Sequence, residues 1–128
     1  MDFSRTGPVA LAERRLHWLD GRQRVLAQNI ANADTPGFVP RDAQPFAAAL
    51  GAARAAPLAR TDAGHMAPTR ARDSARADRS VAERSPNGNA VSLDREALRI
   101  AETDQAHALA MGLHRKYLGL FRTALGRN

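Results

Sequence analysis

Between Pro8 and Ala33, apolar side chains recur at alternating intervals of three and four: Val9, Ala12, Leu16, Leu19, Leu26, Ile30 and Ala33, with Gln23 as the one polar member of the row. That spacing is the seam of a heptad helix. Gly7-Pro8 supplies a start, because proline suits the first helical position. Asp34-Thr35-Pro36-Gly37 supplies a stop, because the residue before proline is pushed out of the helical region and Pro-Gly marks a turn. About 25 residues of helix span roughly 38 Å. Gln23 in the seam is expected to help hold register.

A second helical pattern follows the turn signal Ser85-Pro86-Asn87-Gly88-Asn89 and runs to about Leu125. Ser92 is the expected N-cap, Asp94 and Glu96 in the first turn complement the helix dipole, and Arg115, Lys116 and Arg122 lie towards the other end. Two apolar stripes run along this helix. One is Leu98, Ala101, Gln105, Leu109, Leu113, Tyr117 and Leu120; the other is Met111, Leu118, Phe121 and Leu125. Both cannot face the first helix at once. The chain offers only one other long helix, so one stripe is expected to pack within the subunit and the other, here the Leu118–Phe121–Leu125 stripe, against other chains.

Between these patterns the chain has no usable period. From Ala47 to Pro86 it is alanine, arginine, aspartate and serine, with Leu50, Leu58, Met66 and Val81 as almost its only large apolar residues. Such a stretch buries too little surface to offset its ordering entropy, so it reads as a disordered linker with a short helix at Pro45–Leu50. The expected organisation is residues 1–46, an N-terminal helix and its turn; 47–86, the linker; and 87–128, a C-terminal helix that packs back on the first. The expected fold class is all-α, two long helices in an antiparallel coiled-coil-like pair.

Composition narrows the function classes. The 128 residues allow one domain, and although 44% are hydrophobic, only 5% are aromatic, so large core anchors are scarce. The absence of cysteine excludes disulfides, thiolate metal sites and thiol catalysis. No stretch reaches the ~18 apolar residues of a membrane span, and Met1-Asp2-Phe3-Ser4-Arg5 lacks the apolar run of a secretory signal. The net charge of +6, nearly all of it arginine with Lys116 as the only lysine, makes a polyanion partner the second reading: a basic nucleic-acid-binding protein with a disordered arm. Against it, Arg70, Arg72, Arg76, Arg79 and Arg84 are interleaved with Asp73, Asp78 and Glu83 and with no aromatic residue for bases to stack on.

Candidate chemistry is sparse. His107 and His114 stand seven apart, too far for an i, i+4 pair of zinc ligands, and Asp104 with His107 lacks the second carboxylate–histidine pair of a bridged site. His17 and His65 are isolated. No glycine-rich phosphate loop or nucleophile elbow occurs. No catalytic residue, metal or cofactor is assigned, and Trp18 reads as a packing or interface anchor.

The most specific feature is Asn29-Ile30-Ala31-Asn32-Ala33-Asp34-Thr35-Pro36-Gly37-Phe38. Asn29 and Asn32, three apart in the last helical turn, can bond carbonyls the helix leaves unpaired. Thr35-Pro36-Gly37 then reverses the chain and Phe38 can cover the helix end. This segment closely resembles the signature of bacterial flagellar rod and hook axial proteins, carried here by Asn29, Ala31, Asn32, Thr35, Pro36, Gly37 and Phe38. Arg41-Asp42, together with Asn87-Gly88-Asn89-Ala90-Val91-Ser92-Leu93-Asp94-Arg95-Glu96 before the last helix, is most similar to the FlgB type of proximal rod protein. Ala90 departs from the second asparagine frequent there. The resemblance covers about 11–50 and 87–125. It implies a structural, non-enzymatic subunit of a helical drive shaft, exported by the flagellar type III apparatus without a cleaved signal. The neighbours it implies are other rod subunits and the membrane-ring and export-gate end of the basal body. Leu113, Tyr117, Leu118, Leu120, Phe121 and Leu125 are its expected assembly interface.

Overall fold

The computed structural model describes residues 7–54, 75–81 and 83–126. Helix α1 (Pro8–Ala31) opens on Gly7, whose φ of 109° only glycine adopts readily, with Pro8 at its first position. Strand β1 (Arg41–Ala43) follows the turn, then α2 (Phe46–Arg54), β2 (Ala75–Ala77) and α3 (Leu93–Ala124). At 24 and 32 residues, α1 and α3 are about 36 and 48 Å long. Contacts between them descend α1 as they ascend α3: Asn29 meets Glu96, Asp20 meets His107 and Glu13 meets His114. The two long helices are therefore antiparallel, as the sequence predicts, and the protein is mainly helical.

The seam of α1 is occupied largely as its spacing implies. Val9, Leu19 and Leu26 are buried, and Ala12, Leu16 and Gln23 half-buried. At the C-terminal end the inward position passes to Asn29, which is 1% exposed, while Ile30 turns outwards at 38%. Gln23 does not lock the register by a bond, since its buried Oε1 accepts none from the described residues.

The inner face of α3 differs from either predicted stripe. Its buried residues are Glu96, Thr103 and Ala110, with Ile100, His107, His114, Tyr117 and Phe121 half-buried beside them. Leu98, Leu109, Leu113 and Leu120 stand outside, 61, 66, 42 and 57% exposed. The expectation that Leu118, Phe121 and Leu125 form the outer stripe is thus corrected for Phe121, which lies on the inner side. The reason is steric and polar. Small Ala110 and Thr103 let the helices approach, and Thr103 satisfies its hydroxyl on the Arg99 carbonyl at 2.7 Å, so bulky leucines are not needed in the seam.

Two ordered elements occupy stretches that the sequence assigns to the linker. The alanine-rich α2 starts where a helix was expected but continues to Arg54. Phe46 pins it to α1 by an edge-on contact with Trp18 at 5.9 Å, and the Trp18 indole N–H donates to the Gln44 carbonyl at 2.8 Å. The Arg15 guanidinium covers both rings at 4.7 and 4.9 Å. Trp18 is therefore an internal anchor. Strand β2 pairs antiparallel with β1, Asp42 opposite Arg76. Ala-Arg-Ala has little intrinsic strand preference. It is held by its surroundings: the Arg41 guanidinium donates to the Ala75 carbonyl at 2.8 Å, and the Asp78 amide to the Pro40 carbonyl at 2.8 Å. Residues 55–74 and 82 of the expected linker, with His65, Arg70 and Arg72 among them, lie outside the described residues.

Candidate functional site: the signature turn and the outer face of α3

The signature residues gather where α1, β1 and the start of α3 meet. Asn32 behaves as its position predicts: its side-chain amide donates to the Gln28 carbonyl at 2.8 Å, closing the end of α1. Thr35 Oγ1 donates back to Asn32 Oδ1 at 3.2 Å. Thr35-Pro36-Gly37-Phe38 forms a reversal with Pro36 in its second position and Gly37 in its third at φ 71°, closed by the Phe38 amide on the Thr35 carbonyl at 3.3 Å. Phe38 is half-buried and Ala31 exposed.

Asn29 has a different task from the one its spacing suggests. It bonds no carbonyl of its own helix end. Its Nδ2 donates to the Arg41 carbonyl at 2.7 Å and to Glu96 Oε2 at 2.9 Å, while its Oδ1 accepts from the Arg41 amide at 2.9 Å. One side chain thus ties α1, β1 and α3 together. Glu96 is likewise reassigned from complementing a dipole at the surface to a carboxylate only 1% exposed. Ser92 does stand at the N-cap of α3, but its hydroxyl makes no capping bond.

A second asparagine completes the junction from the other side. Asn89, 3% exposed, donates to the carbonyls of Asn32 and Thr35 at 3.0 and 2.6 Å and accepts from the Val91 amide at 2.8 Å. The Gly37 amide donates to the Asn87 carbonyl, and the Ala90 amide to the Phe38 carbonyl, each at 3.0 Å. Gly88, at φ 80°, lies so close to Gly37 that a Cβ there would sit 3.4 Å from the Gly37 Cα. The two turns are therefore mated backbone to backbone. Nothing in the local spacing announces Asn89 or Glu96 as partners of the signature, because they lie 57 and 67 residues from the groups they bind.

Charge closes the site on its flank. Arg99 donates to Glu96 Oε1 at 3.0 Å and to Asp78 Oδ2 at 2.6 Å, and Arg22 grips Asp42 through two bonds of 2.9 Å. Burial alone would lower the pKa of Arg99, but its bond to Asp78 and the charges of Asp78, Glu96 and Asp42 outweigh it and hold it above the ordinary value. Burial alone would raise Asp78. The Ser80 hydroxyl and amide, with Arg99, overcome that and bring it from 3.8 down to about 2. A carboxyl whose folded value lies below its unfolded one stabilises fully above the unfolded value, and loses that contribution as pH falls towards the folded one. The stability gap between the native chain and Asp78→Asn should be about 2 kcal/mol near neutral pH and close as pH falls from about 4 to 2, read by chemical denaturation at each pH. A gap that stays constant across that range would count against this ion pair.

The arrangement holds three elements together at one junction. Among the described residues no three acidic, histidine or cysteine side chains are placed to hold a metal ion. His107 and His114 instead face Asp20 and Glu13 across the helix pair at 3.4 Å. Arg22, Arg95 and Arg99 are engaged within the chain, which removes them from any basic groove. No described helix is long and apolar enough to cross a membrane.

Of the expected interface residues, Leu113, Leu118, Leu120 and Leu125 are exposed, while Tyr117 and Phe121 are half-buried on the inner side. The expected set does not include Leu98 and Leu109, the two leucines most exposed along the central part of the same helix.

Residues 11–38, most of the seam of α1 and the whole of its signature turn, match the family model described as flagella basal body rod protein. The chain is also similar to the flagellar basal body rod protein FlgB of Agrobacterium fabrum (strain C58 / ATCC 33970), with 46% identity over 57 residues. That stretch is 44% of this chain and 42% of the relative, so the chain spans less than half of the relative's length in this match. The signature turn built into the helix junction and the two matches agree: over these stretches the chain is similar to flagellar basal-body rod proteins of the FlgB type.

Proposed function

We propose that this chain is a structural subunit of the proximal rod of the bacterial flagellar basal body, where it polymerises into the helical drive shaft. The observation that carries this reading is the division of labour in the fold. The signature turn makes a rigid junction by mating with the Asn87–Asn89 turn, and the leucines of α3 that a closed bundle would bury are left outside. Burying a leucine is worth about 1.5–3 kcal/mol, so an open row of four is a surface that gains from neighbours. Heterologous contacts repeated from subunit to subunit build an open filament when the rotation does not close. In this reading Leu98, Leu109, Leu113 and Leu120 meet neighbouring subunits, while Leu118 and Leu125, exposed on another side of α3, are open to a second neighbour. Tyr117 and Phe121 support the inner packing near the C-terminal end of α3.

The partners that go with this role are other rod subunits and the membrane-ring and export-gate end of the basal body, reached through the flagellar type III apparatus. The subunit carries load and transforms no substrate. Removal of the gene from the source bacterium tests the role. Cells should lose swimming and yield basal bodies that lack a rod, and the intact gene should restore both. Full motility in the deletion strain would contradict it.

A further inference from the structure

Seven positions on the outer face of α3 form a palindrome about Leu109: Leu98, Glu102, Gln105, Leu109, Leu113, Lys116 and Leu120, at intervals of 4, 3, 4, 4, 3 and 4. All seven lie within a narrow arc of the helix and all are exposed. Leucine stands at both ends and at the centre, while the charges are opposite, Glu102 seven residues before the centre and Lys116 seven after it. The helix dipole accounts for charge only in the first and last turns, and so explains Asp94 and Arg122 but not Glu102 and Lys116. Lys116 has no ion-pair partner within the chain among the described residues.

We propose that the free chain pairs with a second copy of itself, antiparallel, through this outer face of α3. Turned end for end, one helix sets Leu98 against the partner copy's Leu120, Leu109 against its equivalent and Glu102 against Lys116, and the two-fold axis repeats each contact. The parallel arrangement in register would place Glu102 on Glu102 and Lys116 on Lys116, which like charges oppose. An acidic partner would meet Glu102 and a basic one Lys116, so the face suits its own copy best. The pairing does not depend on the rod assignment, and a chain that dimerises in this way without entering a rod satisfies it. In a rod subunit it would cover the leucines until incorporation.

The full chain contains no cysteine, so introduced thiols report geometry cleanly. Under mild oxidation Leu98→Cys alone and Leu120→Cys alone should remain uncross-linked, and their mixture should give a disulfide-linked dimer. Cross-linking of each variant to itself but not to the other would show parallel pairing and overturn the proposal, as would no cross-link in any mixture. By sedimentation equilibrium, Lys116→Glu should weaken the dimer about tenfold or more, because each reversal acts twice across the axis. Adding Glu102→Lys should restore it, with circular dichroism unchanged throughout. A dimer indifferent to Lys116→Glu, or a double variant no tighter than the single one, would equally sink it.

Discussion

Asn29→Asp is expected to dismantle the helix pair, although it exchanges only an amide nitrogen for an oxygen. The new carboxylate would face Glu96 where the native amide donates at 2.9 Å, and would withdraw the donor from the Arg41 carbonyl at 2.7 Å. Both Asn29 and Glu96 are 1% exposed, so water cannot compensate. Leaving buried charge unpaired costs about 3–5 kcal/mol. Against that stand few large apolar anchors, Leu19 and Leu26 being the fully buried ones, and whole domains have only about 5–15 kcal/mol in hand. Helical circular dichroism should fall steeply in the variant. The same amide-to-acid exchange at exposed Gln28 should change stability by no more than about 0.5 kcal/mol. Equal, near-native signals from the two variants would show that the Asn29 bond does not organise the junction.

Leu109→Ser combined with Leu120→Ser should have the opposite profile, sparing the fold and abolishing the assembly. These side chains are 66 and 57% exposed and fill no internal space. Their replacement should therefore leave helicity nearly native. In a polymer each would remove a contact worth about 2 kcal/mol, and the loss recurs at every subunit. Cells should make the protein, build no stable rod and fail to swim. Normal swimming with the altered chain recovered from basal bodies would show that neighbours do not use this face.

Periodicity made the two long helices and their boundaries legible, because proline, glycine and heptad spacing act locally. Periodicity does not choose the inner face of α3. Counting leucines favours the wrong side, since the seam is closed by Glu96, Thr103 and Ala110, whose burial depends on partners far away in the chain. Asn32 could be interpreted correctly because its partner, the Gln28 carbonyl, is four residues away. Asn29 could not, because its partners lie on two other elements. Strand β2 was invisible for a related reason. Ala75-Arg76-Ala77 has no strand signal of its own and pairs only because Arg41 and Asp78 anchor it at either end.

Electron cryo-microscopy of basal bodies purified from cells expressing this chain measures the subunit's place most directly. The density should show the antiparallel α1–α3 pair within the proximal rod, with the signature turn mated to the Asn87–Asn89 turn and the Leu98–Leu120 row of α3 packed on a neighbouring subunit. A rod in which this chain is absent, or in which that row faces solvent, would contradict it.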